Sequence, residues 1–268
     1  MRIQEVYKKI TNQIQEKLQQ GTLPWKKSWI IGLPQNMISK HYYTGINFLS
    51  LCTADYPSPF YMTFLQCKEK EGFINAGERG NLIVFWKMLE PKEEQSGNQQ
   101  EQQPYIQYSY VFNLSQTTLY KPDTDPKQIL DCEKIITEMK VKPVIKNNHS
   151  RCCYYPTADY ISLPKINDFN SPEDYYSTLF HELVHWTGHQ ERLNRFVSKK
   201  HMDEVTEELV AELGSSFLCG LCGISATVID SQASYIDGWL SRVEKDPVYF
   251  IRASSAAHKA VSFILNKN

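Results

Sequence analysis

Two histidines and an acid in the second half of the chain stand at the spacing of a metal site. The run His181-Glu182-Leu183-Val184-His185 follows Ser171-Pro172-Glu173-Asp174, which is typical of a capped helix start. Residues four apart lie on one face of a helix, so both imidazoles can bind the same ion. Two neutral imidazoles favour zinc, and the glutamate between them can take a proton from a water molecule on that zinc.

The same pattern also arises by chance in ordinary helices, where both histidines lie on a solvated face. Here the polar residues have five apolar neighbours: Leu179, Phe180, Leu183, Val184 and Trp186. Such a helix is buried on most sides, and buried His and Glu side chains need partners or a metal. We therefore expect one zinc ion, with His181 and His185 as ligands and Glu182 as the catalytic base.

A catalytic zinc site needs a third protein ligand, and the sequence offers two candidates. Glu191 stands three residues after Gly188, where the metzincin pattern has a histidine. Glu208 lies in a second helical segment, with Glu212 four residues later on the same face. This pair resembles the gluzincin arrangement, which implies that Glu208 is the third ligand and that Glu212 orients the first histidine. The alternative is that both are ordinary acids on a helix surface.

The composition is that of a globular protein, with 268 residues of which 41% are hydrophobic and 22% are charged. This length suffices for two modest domains. The sequence has no apolar run near the ~18 residues of a membrane span, and its N-terminus has no apolar signal-peptide core. Seven cysteines without the spacing of a disulfide framework favour a reducing cytoplasm. Cys219 and Cys222 stand in an apolar run and are expected to be buried core thiols.

The two parts of the chain carry opposite charge. Residues 1–88 hold 11 Lys+Arg and 6 Asp+Glu, a net charge of +5, which leaves 18 and 24 and a net charge of −6 for the remainder. Aromatic rings interleaved with lysines in the basic part are typical of single-stranded nucleic acid binding, because rings stack on bases while lysines contact phosphates. The candidate stacking rings are Trp25, Trp29, Tyr43, Phe48 and Trp86, and the candidate phosphate contacts are Lys26, Lys27, Lys40, Arg79 and Lys87. The alternative is that such rings form a small core, which is our expectation for Phe48 and Phe85.

The pattern of elements predicts two domains. Residues 90–103 are rich in Gln and Glu and predict a mobile insertion in a hairpin whose strands are residues 82–86 and 105–112. A Pro- and Asp-rich stretch near residues 121–126 places the boundary between an N-terminal α+β domain, residues 1–122, and a mostly helical domain, residues 123–268. The second domain is expected to contain a small sheet, from short strands just before the metal helix.

Several of these motifs together resemble a known family. Pro24-Trp25-Lys26-Lys27-Ser28-Trp29, Tyr43-Thr44-Gly45-Ile46-Asn47 and Gly77-Glu78-Arg79-Gly80 are similar to the N-terminal domain of ArdC-type antirestriction proteins. The histidine motif with Glu208 and Glu212 resembles the zincin domain of the same family, and the resemblance spans nearly the whole chain in the right order. Ser28 departs from the expected proline, and residues 90–103 look like an addition.

The resemblance implies an N-terminal domain that binds single-stranded DNA, and it adds Asn47 to the expected contacts. It also implies a C-terminal domain like that of a zinc metallopeptidase, on a protein that mobile elements carry to shield incoming DNA from restriction. We therefore expect a cytoplasmic α+β protein of two domains, the second gluzincin-like, with one Zn²⁺ and with single-stranded DNA and a protein substrate as partners.

Two other functions remain open at this point. The chain could coat DNA while its zinc is not catalytic, or it could be a cytosolic zinc peptidase whose N-terminal domain recognises protein. If peptides are cleaved, a donor must stabilise the carbonyl oxygen in the transition state. The sequence offers His189, His201 and Tyr235 for that role and does not rank them.

Overall fold

The chain forms helices and two separate sheets, which confirms the expected α+β class. The computed structural model describes residues 3–26, 32–88, 104–122, 131–147, 151–196, 203–225 and 232–267. The helices are α1 (Ile3–Gln19), α2 (Gly45–Cys52), α3 (Phe64–Glu69), α4 (Cys132–Thr137), α5 (Pro172–Trp186), α6 (Glu204–Cys222), α7 (Gln232–Lys245) and α8 (Tyr249–Ile264). The strands are β1 (Gln35–Asn36), β2 (Phe60–Thr63), β3 (Asn81–Met88), β4 (Pro104–Asn113), β5 (Val144–Lys146), β6 (Cys153–Tyr155) and β7 (Tyr160–Ser162). No helix among these residues is apolar and long enough to span a membrane.

The N-terminal sheet is built on one long hairpin. Its strand order is β1-β2-β4-β3, and β3 pairs antiparallel with β4 from Asn81 opposite Val111 to Met88 opposite Pro104. This confirms the predicted pairing of residues 82–86 with residues 105–112. The predicted insertion at residues 90–103 joins these two strands and lies outside the described residues.

Helix α2 is fastened to the outer edge of β3 by Asn47. The Asn47 side chain donates from Nδ2 to the Val84 carbonyl (2.6 Å) and accepts from the Val84 N–H at Oδ1 (2.8 Å). Because β3 is an edge strand, these bonds cover backbone groups that no neighbouring strand reaches. The structure gives Asn47 this structural role in place of the predicted contact with nucleic acid.

One hydrophobic core runs through both parts of the chain. It includes Ile10 and Ile14 of α1, Phe48 of α2, and Trp239 and Phe250 of α7 and α8. Helix α1 contacts α7, and α2 contacts α8. The two parts are therefore packed together through a shared core. The predicted boundary after residue 122 lies where the described chain stops before resuming at residue 131, so the boundary stays a prediction.

Trp25 belongs to this core. Its side chain is fully buried, and its ring packs edge-on against Trp239 with centroids 5.7 Å apart. The prediction that Trp25 stacks on bases is therefore wrong, because a ring enclosed by protein cannot present a face to a nucleotide. Phe48 is buried as expected, whereas Phe85 is 39% exposed and the expectation that it is a core residue is wrong. Lys27 and Trp29 lie outside the described residues.

The second sheet lies beside the helix that carries the histidine motif. Its order is β5-β7-β6, with β7 in the centre and β6 at the edge that contacts α5. Helices α6 and α8 pack against α5 and against each other. Cys219 and Cys222 are buried on α6 as free thiols, which confirms their predicted place in the core.

Candidate metal centre

The two histidines of the motif converge on one point. Helix α5 begins as the sequence predicts, with Ser171 Oγ accepting from the Asp174 N–H (3.1 Å) and with Pro172 in its first turn. Its period places His181 and His185 on one face, and their Nε2 atoms lie 3.1 Å apart. Two imidazole nitrogens so close to each other need a cation or a proton between them, since two lone pairs repel.

Glu208 completes the group from the neighbouring helix. Its carboxylate oxygens lie 3.4 Å from Nε2 of His181 and 3.5 Å from Nε2 of His185. Tetrahedral ligands ~2.05 Å from a zinc ion are roughly 3.3 Å from one another. The spacing of the three side chains therefore fits one divalent ion, and they form the only such group among the described residues. Glu191 is exposed and is not a member of this group.

A close contact between α5 and α6 sets these distances. A Cβ atom on Gly214 would lie 2.7 Å from Cγ2 of Val184, which is closer than real side chains approach. Glycine at this position therefore allows the two helices to pack with their backbones close together. Glu208 lies less than two turns before Gly214 on α6, so this contact brings its carboxylate within reach of both imidazoles.

The cluster carries an excess of negative charge, which shows in its pKa values. Burial lowers the pKa of His185, but hydrogen bonds to Glu207 and Glu208 outweigh burial and raise this pKa to about 10. Burial raises the pKa of Glu208, and the two histidines reverse that effect and bring it below the ordinary range. The site thus holds carboxylates that remain ionised and imidazoles that attract a positive charge, which is the electrostatic requirement of a cation site.

Each imidazole is backed by a second carboxylate on α6. Nδ1 of His185 lies 3.3 Å from Oε1 of Glu207, and that carboxylate accepts two hydrogen bonds from Arg195, from Nε (2.9 Å) and from Nη2 (2.7 Å). Arg195 also donates to the Val184 carbonyl and to the Thr187 hydroxyl at the end of α5. Glu207 thereby fixes the His185 ring with its Nε2 toward the metal position.

Glu212 faces the other histidine and brings an unexpected partner. Its Oε1 lies 3.7 Å from Nδ1 of His181, and its Oε2 lies 3.6 Å from Nζ of Lys26. The side chains of Lys26 and Glu212 are only 8% and 6% exposed. The predicted phosphate contact of Lys26 is therefore wrong in this structure, because its ammonium group is buried against the carboxylate behind His181. Burial lowers the pKa of Lys26, and the ion pair with Glu212 opposes that shift.

Glu182 lies on the cleft side of the histidines. Its side chain is buried, and Oε2 accepts a hydrogen bond from the Tyr154 N–H of β6 (2.6 Å). Its Oε1 atom has no hydrogen bond to any residue that the structure describes, so one oxygen is held while the other is left for proton transfer. A cleft of about 490 Å³ opens in front of Glu182 and the three candidate ligands.

One of the three proposed oxyanion donors lines this cleft. Tyr235 of α7 forms part of its wall, and its ring stacks on Trp239 with centroids 6.2 Å apart. His189 does not line the cleft, and His201 lies outside the described residues. Tyr154 also lines the cleft, but its hydroxyl donates to Asp159 and accepts from Arg192.

The remaining nucleic-acid candidates lie away from the metal. The half-buried Tyr43 accepts a hydrogen bond from Asn36 Nδ2 (3.3 Å) at its hydroxyl. Arg79 is exposed in the loop before β3, and Trp86 and Lys87 stand in the far half of β3, where only their backbone is described. About 20 Å of strand separates the start of β3 from Lys87, so Arg79 and Lys87 cannot contact the same nucleotide.

Sequence reasoning missed Glu207 and Arg195. Glu207 is adjacent to the predicted ligand Glu208, and this adjacency could have indicated a second acid at the site. Arg195 follows α5 in an irregular segment, so no helical period relates it to His185. Its contact with Glu207 depends on Gly188, where a Cβ atom would lie 3.0 Å from Nη2 of Arg195 and 2.7 Å from the Phe196 ring.

Comparison with known proteins identifies the family. A family model for the N-terminal domain of the anti-restriction factor ArdC matches residues 4–112, and one for a zincin-like metallopeptidase matches residues 131–256. The metal-free crystal structure of the antirestriction ArdC protein from plasmid R388 superposes with a TM-score of 0.80, at 30% identity, and 98% of each chain is covered. This chain belongs to the ArdC family. The family assignment confirms the expected resemblance and the two-domain α+β architecture with a zincin-like C-terminal part.

Other relatives show that similar sequences occur both as separate proteins and as one part of a longer primase. A Mn(II)-bound structure of the same R388 protein matches with a TM-score of 0.79, at 29% identity, with 97% of both chains covered. A DNA primase TraC of Escherichia coli is 30% identical over 285 residues, which is 97% of this chain but about a quarter (27%) of that primase. An uncharacterized protein of Sinorhizobium fredii is 27% identical and is covered over 91% of its length.

Removal of the candidate third ligand tests the metal site. Glu208→Ala should lower the bound metal well below one ion per chain, because two imidazoles alone leave the ion without its carboxylate. Glu191→Ala is the matched control and should keep full occupancy. Metal content of the purified variants after dialysis is the measurement, and a loss of metal in the Glu191 variant instead would assign the third ligand to the loop after α5.

The hydrogen bond behind His185 can be tested separately from charge. Glu207→Gln should lower metal affinity 10- to 100-fold, the usual effect of losing the acid that orients a ligand histidine. Glu204→Gln removes the same charge from the same helix in the same cleft and should change affinity by much less. Competition titration with a metal chelator measures both, and equal losses would show that only the net charge matters.

Proposed function

We propose that this ArdC-family chain is an antirestriction protein of a mobile element that binds single-stranded DNA and carries a zinc metallopeptidase centre. The observation that carries the proposal is the convergence of His181, His185 and Glu208 in a chain whose whole length matches an antirestriction ArdC protein. The proposed place of action is the cytoplasm, where incoming DNA meets restriction enzymes.

Zinc is the proposed ion because of the donor set. Two imidazoles and one carboxylate are the ligands of many catalytic zinc sites, which keep a fourth position open. The Mn(II)-bound R388 relative supports a divalent ion in this family. The proposed ligands are Nε2 of His181, Nε2 of His185 and one carboxylate oxygen of Glu208, with Glu212 and Glu207 orienting the rings.

The proposed chemistry is general acid–base hydrolysis of a peptide bond. Zinc, when bound, supplies a Lewis acid that polarises the scissile carbonyl and lowers the pKa of water. Glu182 takes a proton from the attacking water and returns it to the leaving amine, while the Tyr154 N–H holds its other oxygen. Tyr235 is the proposed donor to the carbonyl oxygen, because it contributes a hydroxyl to the wall of the cleft.

The edge strand β6 is the proposed support for the substrate backbone. It is the outer strand of its sheet and lines the metal cleft with Cys153 and Tyr154. An extended peptide can add to such an edge through main-chain hydrogen bonds, which gives affinity with little dependence on sequence. The protein substrate is therefore proposed as an extended or unfolded segment.

The match to the ArdC N-terminal domain and the positive charge support single-stranded DNA as the proposed ligand of the N-terminal part. Residues 1–88 carry a net charge of +5. Lys26 is buried against Glu212 and is removed from the proposed contacts, whereas Arg79 is exposed and is kept. Tyr43, Trp86, Lys87, Lys27 and Trp29 remain proposed contacts.

DNA binding by the whole chain is the first test. A fluorescent single strand should bind more tightly than the duplex of the same sequence, since paired bases cannot stack on protein rings. The logarithm of the affinity should fall linearly with the logarithm of salt, by ~0.7 per phosphate contact. Titrations at several salt concentrations measure both quantities. Equal affinity for single strand and duplex would contradict the proposed preference for single strands. The absence of binding to either form would favour a cytosolic peptidase instead.

The proposed peptidase activity is tested by removing the charge of Glu182, the proposed base. Glu182→Gln should keep the metal, because Glu182 is not a ligand, and should abolish any peptide hydrolysis, because an amide cannot accept the proton. The measurements are metal content, protein cleavage and protection of transferred DNA from restriction. Protection that survives Glu182→Gln would mean that the chain acts by coating DNA and that its metal centre is not needed for antirestriction.

A further inference from the structure

A second cleft lies on one face of the N-terminal sheet, away from the metal. It has a volume of about 370 Å³, which is within the range of small-molecule sites. Its floor is formed by side chains of β3 and β4, and its walls come from the loop of residues 36–43 and from the start of α3. Its lining includes Asn36, Tyr43, Gln66, Phe85 and Ser109.

An exposed aromatic ring marks the cleft. Phe85 lines it and is 39% exposed, although its strand neighbours Ile83 and Val84 are buried. Phe64 and Leu65 are 58% and 67% exposed and stand between the lining residues Thr63 and Gln66. The exposed ring of Phe85 among polar lining residues indicates a ligand with a flat apolar face.

The polar wall of the cleft is fixed before any ligand binds. Asn36 Nδ2 donates to Tyr43 Oη (3.3 Å) and to Gln66 Oε1 (3.2 Å), while its Oδ1 accepts from the Ile38 and Ser39 N–H groups. Gln66 Oε1 also accepts from the Thr63 N–H (2.9 Å). A wall held in this way loses little conformational entropy on binding and offers amide and phenol groups at fixed positions.

Two further features favour a nucleic acid base over a peptide. The edge of β3 beside this face is capped at Val84 by Asn47, so an extended peptide cannot pair there. No Asp or Glu is among the described residues that line the cleft, so an approaching phosphodiester meets no like charge at its wall. A base presents a flat face for Phe85 and polar edges for amide groups, which is how single-stranded nucleic acid is bound by sheet surfaces.

We propose that this cleft binds one unpaired base of the DNA strand, with the ring of Phe85 stacked on the base and the Asn36–Tyr43–Gln66 wall facing its edge. The proposal rests on the single-stranded DNA binding proposed above. It places the DNA on the side of the sheet away from Trp25 and Lys26, which the sequence pattern favoured as contacts.

The test uses the full-length, metal-loaded chain and oligonucleotides with and without a run of abasic sites. Phe85→Ala should weaken binding of the normal single strand roughly 5- to 150-fold, the usual effect of losing one base–ring stack. It should leave the salt slope unchanged, because no phosphate contact is lost. On the abasic strand Phe85→Ala should change affinity less than about 2-fold, because no base is present to stack.

Three more variants separate stacking from folding. Phe73→Ala removes a ring that is 71% exposed and does not line the cleft, and it should bind like the wild type. Phe85→Tyr keeps the ring and should retain affinity. Ser109→Trp fills the cleft from β4 and should weaken binding as much as Phe85→Ala. Thermal unfolding of each variant checks that the fold is kept.

The outcomes distinguish this proposal from the one on which it rests. If the wild type binds no single strand, both fail. If it binds and neither Phe85→Ala nor Ser109→Trp weakens binding, the DNA lies elsewhere and only the cleft assignment is overturned. A loss with Phe85→Ala that is equally large on the abasic strand would also overturn it, and would point to a peptide or another ligand for this face.

Discussion

The packing of three carboxylates on one helix, two of them buried and the third partly buried, is the constraint on which the rest of this structure depends. Glu207, Glu208 and Glu212 of α6 all face the region around the two histidines of α5. A buried carboxylate without a counter-charge costs several kcal/mol, so each needs a cation. Arg195 forms an ion pair with Glu207, and Lys26 forms one with Glu212. For Glu208, the counter-charge that fits the geometry is a divalent metal shared with both histidines.

This charge arrangement joins the two parts of the chain. Lys26 comes from the N-terminal part and ends behind a histidine of the C-terminal part, and the preceding Trp25 packs on Trp239. Trp239 in turn stacks on Tyr235, which lines the metal cleft. Removing one partner of a buried ion pair typically costs ~3–5 kcal/mol. Lys26 and Trp25 therefore belong to the support of the metal centre, and the basic segment that looked like a DNA contact is partly structural.

Much of the candidate metal site could be predicted from the sequence because its geometry is local. His181, His185, Glu208 and Glu212 lie on two helices, where a four-residue spacing fixes which side chains share a face. The short strands before α5 and the β3–β4 pairing also followed from alternating patterns. Glu208 could be chosen over Glu191 only through the resemblance to gluzincins, since periodicity alone left both open.

The contacts that were missed or misplaced depend on packing between distant segments. The sequence around Trp25 and Lys26 is compatible with side chains that face DNA and with side chains that face the protein interior. The packing of α6 and α7 against this segment determines that both are buried. Asn47 sits in a motif that resembled a DNA contact, yet its amide binds the backbone of an edge strand 37 residues away. Phe85 shows the opposite error, because a phenylalanine in an apolar strand is usually buried, whereas this one is partly exposed and lines a cleft.

The central claim is that the partly buried Glu208 carboxylate is balanced by one metal ion between α5 and α6. The most direct measurement is anomalous scattering at the zinc edge from crystals of the zinc-loaded, full-length protein. The account predicts a single peak bonded to Nε2 of His181, Nε2 of His185 and a carboxylate oxygen of Glu208, with the Lys26–Glu212 and Arg195–Glu207 pairs intact. A peak bonded to Glu191, or to Glu207 or Glu212 in place of Glu208, would contradict it.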